Sequence, residues 1–457
     1  MQAFLLLVVL SAYLNTKEFM GALSPISFFV RLELYPSMET QRGRLRFWTS
    51  VDFVPSVTGL IEHLNKNGFD ARSWSHISVK TYRKAKSLLA RTLLRLRMYI
   101  VYPLLLFIHI LFEKRSTTLH IVCTNPFYAP FLAVLASRLR GHSMRRGSNR
   151  CAPVIHWVYD LFPDAFIQSG TTRPDTQSTK LIAWIVRQTF RSCIANVFLG
   201  EHLLANAQQT YSYIPHAYVL PIGADSTPFR KNHPSSEKTA QRSYDSLTLL
   251  YCGNIGLLHD IETLAAALTH GPSKGFGHRN LHFQFYASGV HYPELCKALR
   301  GAHLPRNVTV AFHGSLDTTE WTSVMLQADI ALVTMCAGTE KVVMPSKAYS
   351  ALAAGQAILA ICPPDSDLAD LVRRHNCGWV VIPESSNAEK TTPKKSHYTG
   401  TKGLQRLLEH LSREPTTIFP KQKNAYYAGQ NFYDVPMLAE RWTALLHEIT
   451  PVKKSLG

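Results

Sequence analysis

The segment Met344-Pro345-Ser346-Lys347-Ala348-Tyr349-Ser350-Ala351-Leu352-Ala353-Ala354-Gly355 sets a lysine where a phosphate could be held. Pro345 presets the first turn of a helix, at the position where its missing N–H costs nothing. Ser346 and Lys347 then fall among the unpaired N–H groups of the helix start. An ammonium beside such donors suits an anionic ligand. Ala351, Ala353 and Ala354 let the helix pack closely, and Gly355 can end it in a left-handed cap. Residues 357–362 are an apolar run stopped by Pro363-Pro364, which reads as a buried parallel strand.

Three further segments carry polar groups at the ends of apolar runs. Residues 247–252 lead into Gly253-Asn254-Ile255-Gly256, and His259 precedes a helix from residue 261. Glycines in such a turn let the backbone approach a pyrophosphate, whose charge the helix start favours. Residues 308–313 read as a strand ending at His313-Gly314; a helix over 321–328 and a strand over 329–333 follow. The next loop, 334–344, holds Glu340, a carboxylate able to accept a ribose or sugar hydroxyl. In the first half, a buried strand over 154–158 runs into Tyr159-Asp160-Leu161-Phe162-Pro163-Asp164. A carboxylate there points into the crevice beyond the strand ends, or else caps the turn that follows.

In this order, over about residues 119 to 385, the segments resemble the retaining glycosyltransferases of family four, the bacterial surface-polysaccharide type with a Pro-Ser-Lys motif. The resemblance implies an α/β chain of GT-B architecture, with two Rossmann-like doubly wound domains facing a central cleft. It implies transfer of a hexosyl or N-acetylhexosaminyl unit from a nucleotide-diphosphate sugar, with no metal expected. The acceptor would be a lipid-linked glycan or polysaccharide of O-antigen, capsule or exopolysaccharide synthesis. Carried over residue by residue, the catalytic set is Asp160, Lys347 and Glu340. The donor-binding set is Gly253, Asn254, His259, His313, Gly314, Met344, Pro345, Ser346 and Ser350. Two positions depart from the pattern: His259 stands where relatives often have lysine, and Ser350 where they have a glutamate. Retention would pass through an oxocarbenium-like state, with the main task being to stabilise charge on the leaving phosphate. A non-hydrolysing nucleotide-sugar epimerase, or a degenerate membrane-associated assembly partner, remains an alternative on the same architecture.

The elements around these residues must build two cores, and 457 residues with 46% apolar and 18% charged side chains suffice. We expect an N-terminal extension over 1–43, an acceptor domain over 44–230, a linker over 231–245, a donor domain over 246–430 and a C-terminal helix within 431–457 packing back on the first domain. The net charge of +18 needs a partner. The basic residues are scattered and no base-reading module occurs, so nucleic acid is not expected. The densest runs, 145–150 and 390–395, read as solvated loops. Arg83, Lys84, Lys86, Arg91, Arg95 and Arg97 instead precede an uncharged run over 98–112, interrupted by Pro103. At about fifteen residues the run is short of a bilayer span. It suits insertion into one anionic leaflet, or a core helix of the first domain. Eight cysteines without a Cys-x-x-Cys pair read as reduced core thiols, and the histidines show no zinc spacing. With these features, the resemblance implies a cytoplasmic enzyme, peripheral on the inner face of the cell membrane.

Overall fold

The computed structural model describes residues 43–52, 55–78, 81, 87–113, 118–143, 153–230, 245–314, 316, 318–384 and 398–449. Nearly all of the expected N-terminal extension and linker, the two loop runs, and Arg83, Lys84 and Lys86 lie outside them. The described residues form two sheets of six strands each. The first contains β1 (Arg44–Val51), β2 (Asp70–Ile77), β3 (Thr118–Cys123), β4 (Val154–Val158), β5 (Ala195–Phe198) and β6 (Ala217–Val219), in the order β2-β1-β3-β4-β5-β6. The second contains β7 (Ser246–Asn254), β8 (Asn280–Ser288), β9 (Val308–His313), β10 (Ile330–Thr334), β11 (Ala357–Ile361) and β12 (Gly378–Val381), in the order β12-β11-β10-β7-β8-β9. Every pairing between neighbours is parallel.

Parallel strands need helical crossovers, which cover both faces, so the central strands β3, β4, β10 and β11 are buried along their whole length. The order of the second sheet reverses between β7 and β10. Open sheets of this kind bind ligands beyond the carboxyl ends of the strands at such a reversal. The Gly253-Asn254 turn leaves β7 there, and the Glu340 loop leaves β10. One apolar core joins the domains, with Trp157 and Val197 of the first sheet continuous with Leu250, Val333 and Ile358 of the second. The last helix, Val435–Ile449, lies on the first sheet, where the Trp442 ring meets Phe47 at 6.0 Å and Trp157 at 5.1 Å, edge to face.

The basic-then-apolar segment differs from its expectation. It forms one helix, Leu88–Phe112, of 25 residues, and Pro103 does not break it. A π turn, Arg97–Val101, comes just before the proline. The Tyr99 carbonyl, which Pro103 has no N–H to fill, accepts from the Tyr128 hydroxyl instead. The buried positions Leu94, Met98, Tyr102, Leu106 and Ile110 fall every fourth residue. In a uniform α-helix that spacing drifts by about 40° per step, and the extra residue of the π turn takes part of the drift back.

Candidate active site

Lys347 opens the helix Lys347–Ala353, but its side chain turns back across the sheet reversal to the β7 turn. Its Nζ lies 2.8 Å from His259 Nε2 and 5.2 Å from the centre of the Tyr251 ring. Gly253 makes this approach possible. It has φ +134, and a Cβ there would stand 2.9 Å from Lys347 Cε. Lys347, His259, Gly253 and Tyr251 thus form one cluster at the carboxyl end of β7. Sequence reasoning missed Tyr251, whose hydroxyl donates to the Asn254 carbonyl at 3.1 Å and braces the turn. Its only signal was a polar tip in an otherwise apolar strand.

Burial lowers the Lys347 pKa from 10.5 to about 8. Burial, and then the neighbouring ammonium, hold His259 near 3, so the imidazole is neutral. His259 Nδ1 lies 3.0 Å from the Gly256 N–H and 3.3 Å from the Gly256 carbonyl, so the ring is held by the β7 turn on one side and meets Lys347 Nζ through Nε2 on the other. The histidine therefore positions the lysine and adds no charge of its own. Of this pair, Lys347 carries the charge.

The loop after β10 is tied to the loop after β7, because Cys336 N–H donates to the Leu258 carbonyl at 3.0 Å. Glu340 stands in that loop half-buried, and its Oε2 is buried with no partner among the described residues. A carboxylate oxygen in that state calls for a donor from outside the chain. Met344 and Pro345 are buried, whereas Ser346 is exposed and its side chain makes no cap bond. Ser350 is half-buried, one turn further along. His313 and Gly314 lie at the end of the edge strand β9, two strands from β7. The His313 ring stacks on Tyr286 at 4.2 Å and bonds Gln284 at 2.8 Å, so its recorded partners are outside the lysine cluster. His156 is buried in β4 against Phe190 and is a packing residue.

The first domain reaches the same loop. Asp160 forms an antiparallel bridge with Val343, and Leu161 N–H donates to the Val342 carbonyl at 3.1 Å. Asp160 therefore sits just ahead of Met344-Pro345-Ser346-Lys347. Desolvation pushes its carboxyl up to about 6. Nearby, Asp164 Oδ2 is buried without a partner among the described residues. A second clamp holds the domains together: His202 and Leu203 N–H, at the start of the helix Glu201–Tyr211, donate to the Asp367 carboxylate at 3.1 and 3.3 Å. A Cβ on Gly200 would overlap that carboxylate, so only glycine fits. Among the described residues no group of three or more His, Cys, Asp or Glu is arranged to hold a metal ion.

No protein-family model matches the chain. A probable glycosyltransferase of Pseudomonas aeruginosa, WbjE, is 23% identical over 232 residues, 49% of this chain and 54% of the relative. The chain thus matches about half the length of that relative. Among solved structures, HepE of Anabaena in complex with UDP-glucose superposes with a TM-score of 0.57 at 13% identity, over 89% of this chain and 99% of that one. WaaG, a glycosyltransferase involved in lipopolysaccharide biosynthesis, gives 0.56 at 14% identity over 89% and 100%. The sucrose-phosphate synthase of Thermosynechococcus elongatus gives 0.60 at 12% identity over 89% and 99%. At these identities the likeness shows the fold, which is of the GT-B type with two Rossmann-like domains.

Proposed function

We propose that this chain is a retaining glycosyltransferase that moves a hexosyl or N-acetylhexosaminyl unit from a nucleotide-diphosphate sugar to a lipid-linked or polysaccharide acceptor in surface-glycan synthesis. The observation that carries the reading is the Lys347 ammonium held over Gly253 at the strand-order reversal. The likeness to WbjE, and the UDP and UDP-glucose bound by HepE, support it. The donor's diphosphate lies along the Gly253-Asn254 turn with Lys347 on its oxygens, so that charge building on the leaving group meets a fixed cation in a partly dry site. Glu340 takes a hydroxyl of the donor through its unpartnered oxygen. Asp160 approaches the sugar or the incoming hydroxyl from the facing domain. The enzyme works on the cytoplasmic face of the membrane and needs no metal.

A donor screen tests this. Radiolabelled uridine-, guanosine- and thymidine-diphosphate sugars are offered in turn with bacterial membrane lipid extract, and label is followed into the organic phase. Transfer from one donor, with the anomeric configuration unchanged by proton NMR, is the expected result. Inversion removes the retaining mechanism, and binding of a donor without any transfer favours a degenerate partner.

A further inference from the structure

Among the described residues nothing covers one whole face of the helix Leu88–Phe112. Leu88, Leu89, Leu93, Leu96, Leu104, Leu105, Ile108 and Phe112 are all exposed, from 42% at Ile108 to 81% at Leu88. At about 100° per residue, Leu88, Leu89, Leu93 and Leu96 span an arc of about 140°, and buried Leu94 lies opposite its centre. Exposed Arg97 falls on one border of that arc, and exposed Arg91 and Arg95 on the other. Beyond the π turn, Leu104, Leu105, Ile108 and Phe112 span about 100°, again opposite buried Leu106 and Ile110. The opposite face packs into the first domain, so the helix cannot cross a bilayer and can only lie along one.

Two more features adjoin this face. Trp74 is 47% exposed and lies 5.4 Å from the His109 ring of the same helix, the position of an aromatic side chain at a membrane boundary. At the Phe112 end a cavity of about 380 Å³ is lined by Arg44, Arg46, His109, Phe112, Glu113 and Thr118. Three guanidiniums, those of Arg44, Arg46 and Arg72, share the one carboxylate of Asp70. Glu113, 3.8 Å from His109, offsets only part of the surplus. Arg44 Nη1 and Thr118 Oγ1 are buried without a partner among the described residues, two donors suited to one phosphate oxygen cluster.

We propose that this face is a docking surface for an anionic phospholipid bilayer: the helix lies in the plane of one leaflet, its leucines enter the acyl boundary, Arg91, Arg95 and Arg97 take headgroup phosphates along its flanks, and the Arg44 pocket takes one more at its end. Arginines on both borders of an apolar arc match an interface with apolar depth and a negatively charged rim. Leu94 and Met98 pack on Ile77, the last residue of β2, so the Arg91–Arg97 part of the helix sits toward the carboxyl edge of the first sheet. That edge faces the second domain. A helix lying flat therefore brings the mouth of the cleft to the bilayer surface, where a lipid-linked acceptor enters sideways. The docking does not depend on the transfer reading, and either can fail alone.

Sedimentation of the full chain with vesicles tests it, comparing phosphatidylcholine alone with a mixture holding about one part in three phosphatidylglycerol. The protein is expected to sediment with the mixture and stay in solution with phosphatidylcholine alone. Arg91→Gln, Arg95→Gln and Arg97→Gln should each weaken binding by about fivefold, additively, and Arg44→Gln by a similar factor. The double variant Leu104→Glu/Ile108→Glu should abolish it while keeping the wild-type melting temperature, because both side chains are exposed. The Trp74 emission should shift to the blue on binding, a change that Trp74→Phe removes. Equal binding to both vesicles, wild-type binding by the glutamate variant, or a lipid-independent dimer that this variant dissolves would overturn the proposal.

Discussion

Lys347→Met should make the protein more stable and weaken its binding of a nucleotide. An ammonium whose pKa falls from 10.5 to about 8 on folding costs the fold about 3 kcal/mol while it remains charged. The sign follows from proton counts. Below about pH 8 the lysine is charged in both states and the full cost applies. Between about 8 and 10.5 the unfolded chain holds one more proton than the folded one, so stability rises with pH across that window. Methionine removes the charge but leaves His259 Nε2 without its hydrogen-bond partner, which costs about 1 kcal/mol. The net gain at pH 7 is about 2 kcal/mol, read as a rise in melting temperature of several degrees, and the rise in stability above pH 8 disappears. Binding moves the other way. Loss of a charge-assisted bond to phosphate, about 1.5–3 kcal/mol, weakens nucleotide binding by roughly 10- to 150-fold in a calorimetric titration. Wild-type affinity should decline above pH 8 as the free lysine loses its proton. Unchanged affinity in the variant, or lower stability than wild type at pH 7, would rule out a buried, charged Lys347 that holds phosphate.

Gly253→Ala should weaken the same binding by at least tenfold, since φ +134 strains alanine by about 1–3 kcal/mol and its Cβ displaces Lys347 Cε; thermal melting and titration separate the two effects. Asp160→Asn should raise stability at pH 7 by about 1–2 kcal/mol, because a carboxyl raised to about 6 drains stability as pH climbs through 3.8 to 6, an amount discounted for partial exposure. Its turnover should fall while nucleotide affinity holds, seen as a drop in kcat at constant donor KM. Asp367→Ala should loosen the two domains by removing a cap worth about 1 kcal/mol, and small-angle scattering of the free protein should show a larger radius of gyration.

Much of the scaffold was legible because parallel strands buried on both faces read as apolar runs; β4, β10 and β11 begin within a residue or so of where the sequence puts them. The glycine and proline signals at Gly253 and Pro345 marked where the chain must turn near a ligand. The meeting of Lys347 with His259 was not legible, since they are 88 positions apart and only the sheet order brings their loops together. The bridge from Asp160 to Val343 was hidden for the same reason. Pro103 was read as a break because a sequence pattern does not reveal the Tyr128 hydroxyl that relieves it. The Asp367 clamp left no trace beyond a glycine at position 200.

A crystal structure of the protein with a nucleotide-diphosphate sugar would show whether the donor lies at the strand-order reversal of the second domain. Diphosphate oxygens are expected within hydrogen-bond distance of Lys347 Nζ and of the Gly253-Asn254 backbone, with a donor hydroxyl on Glu340 Oε2. A nucleotide bound elsewhere, or a crevice left empty at saturating donor, would contradict this placement.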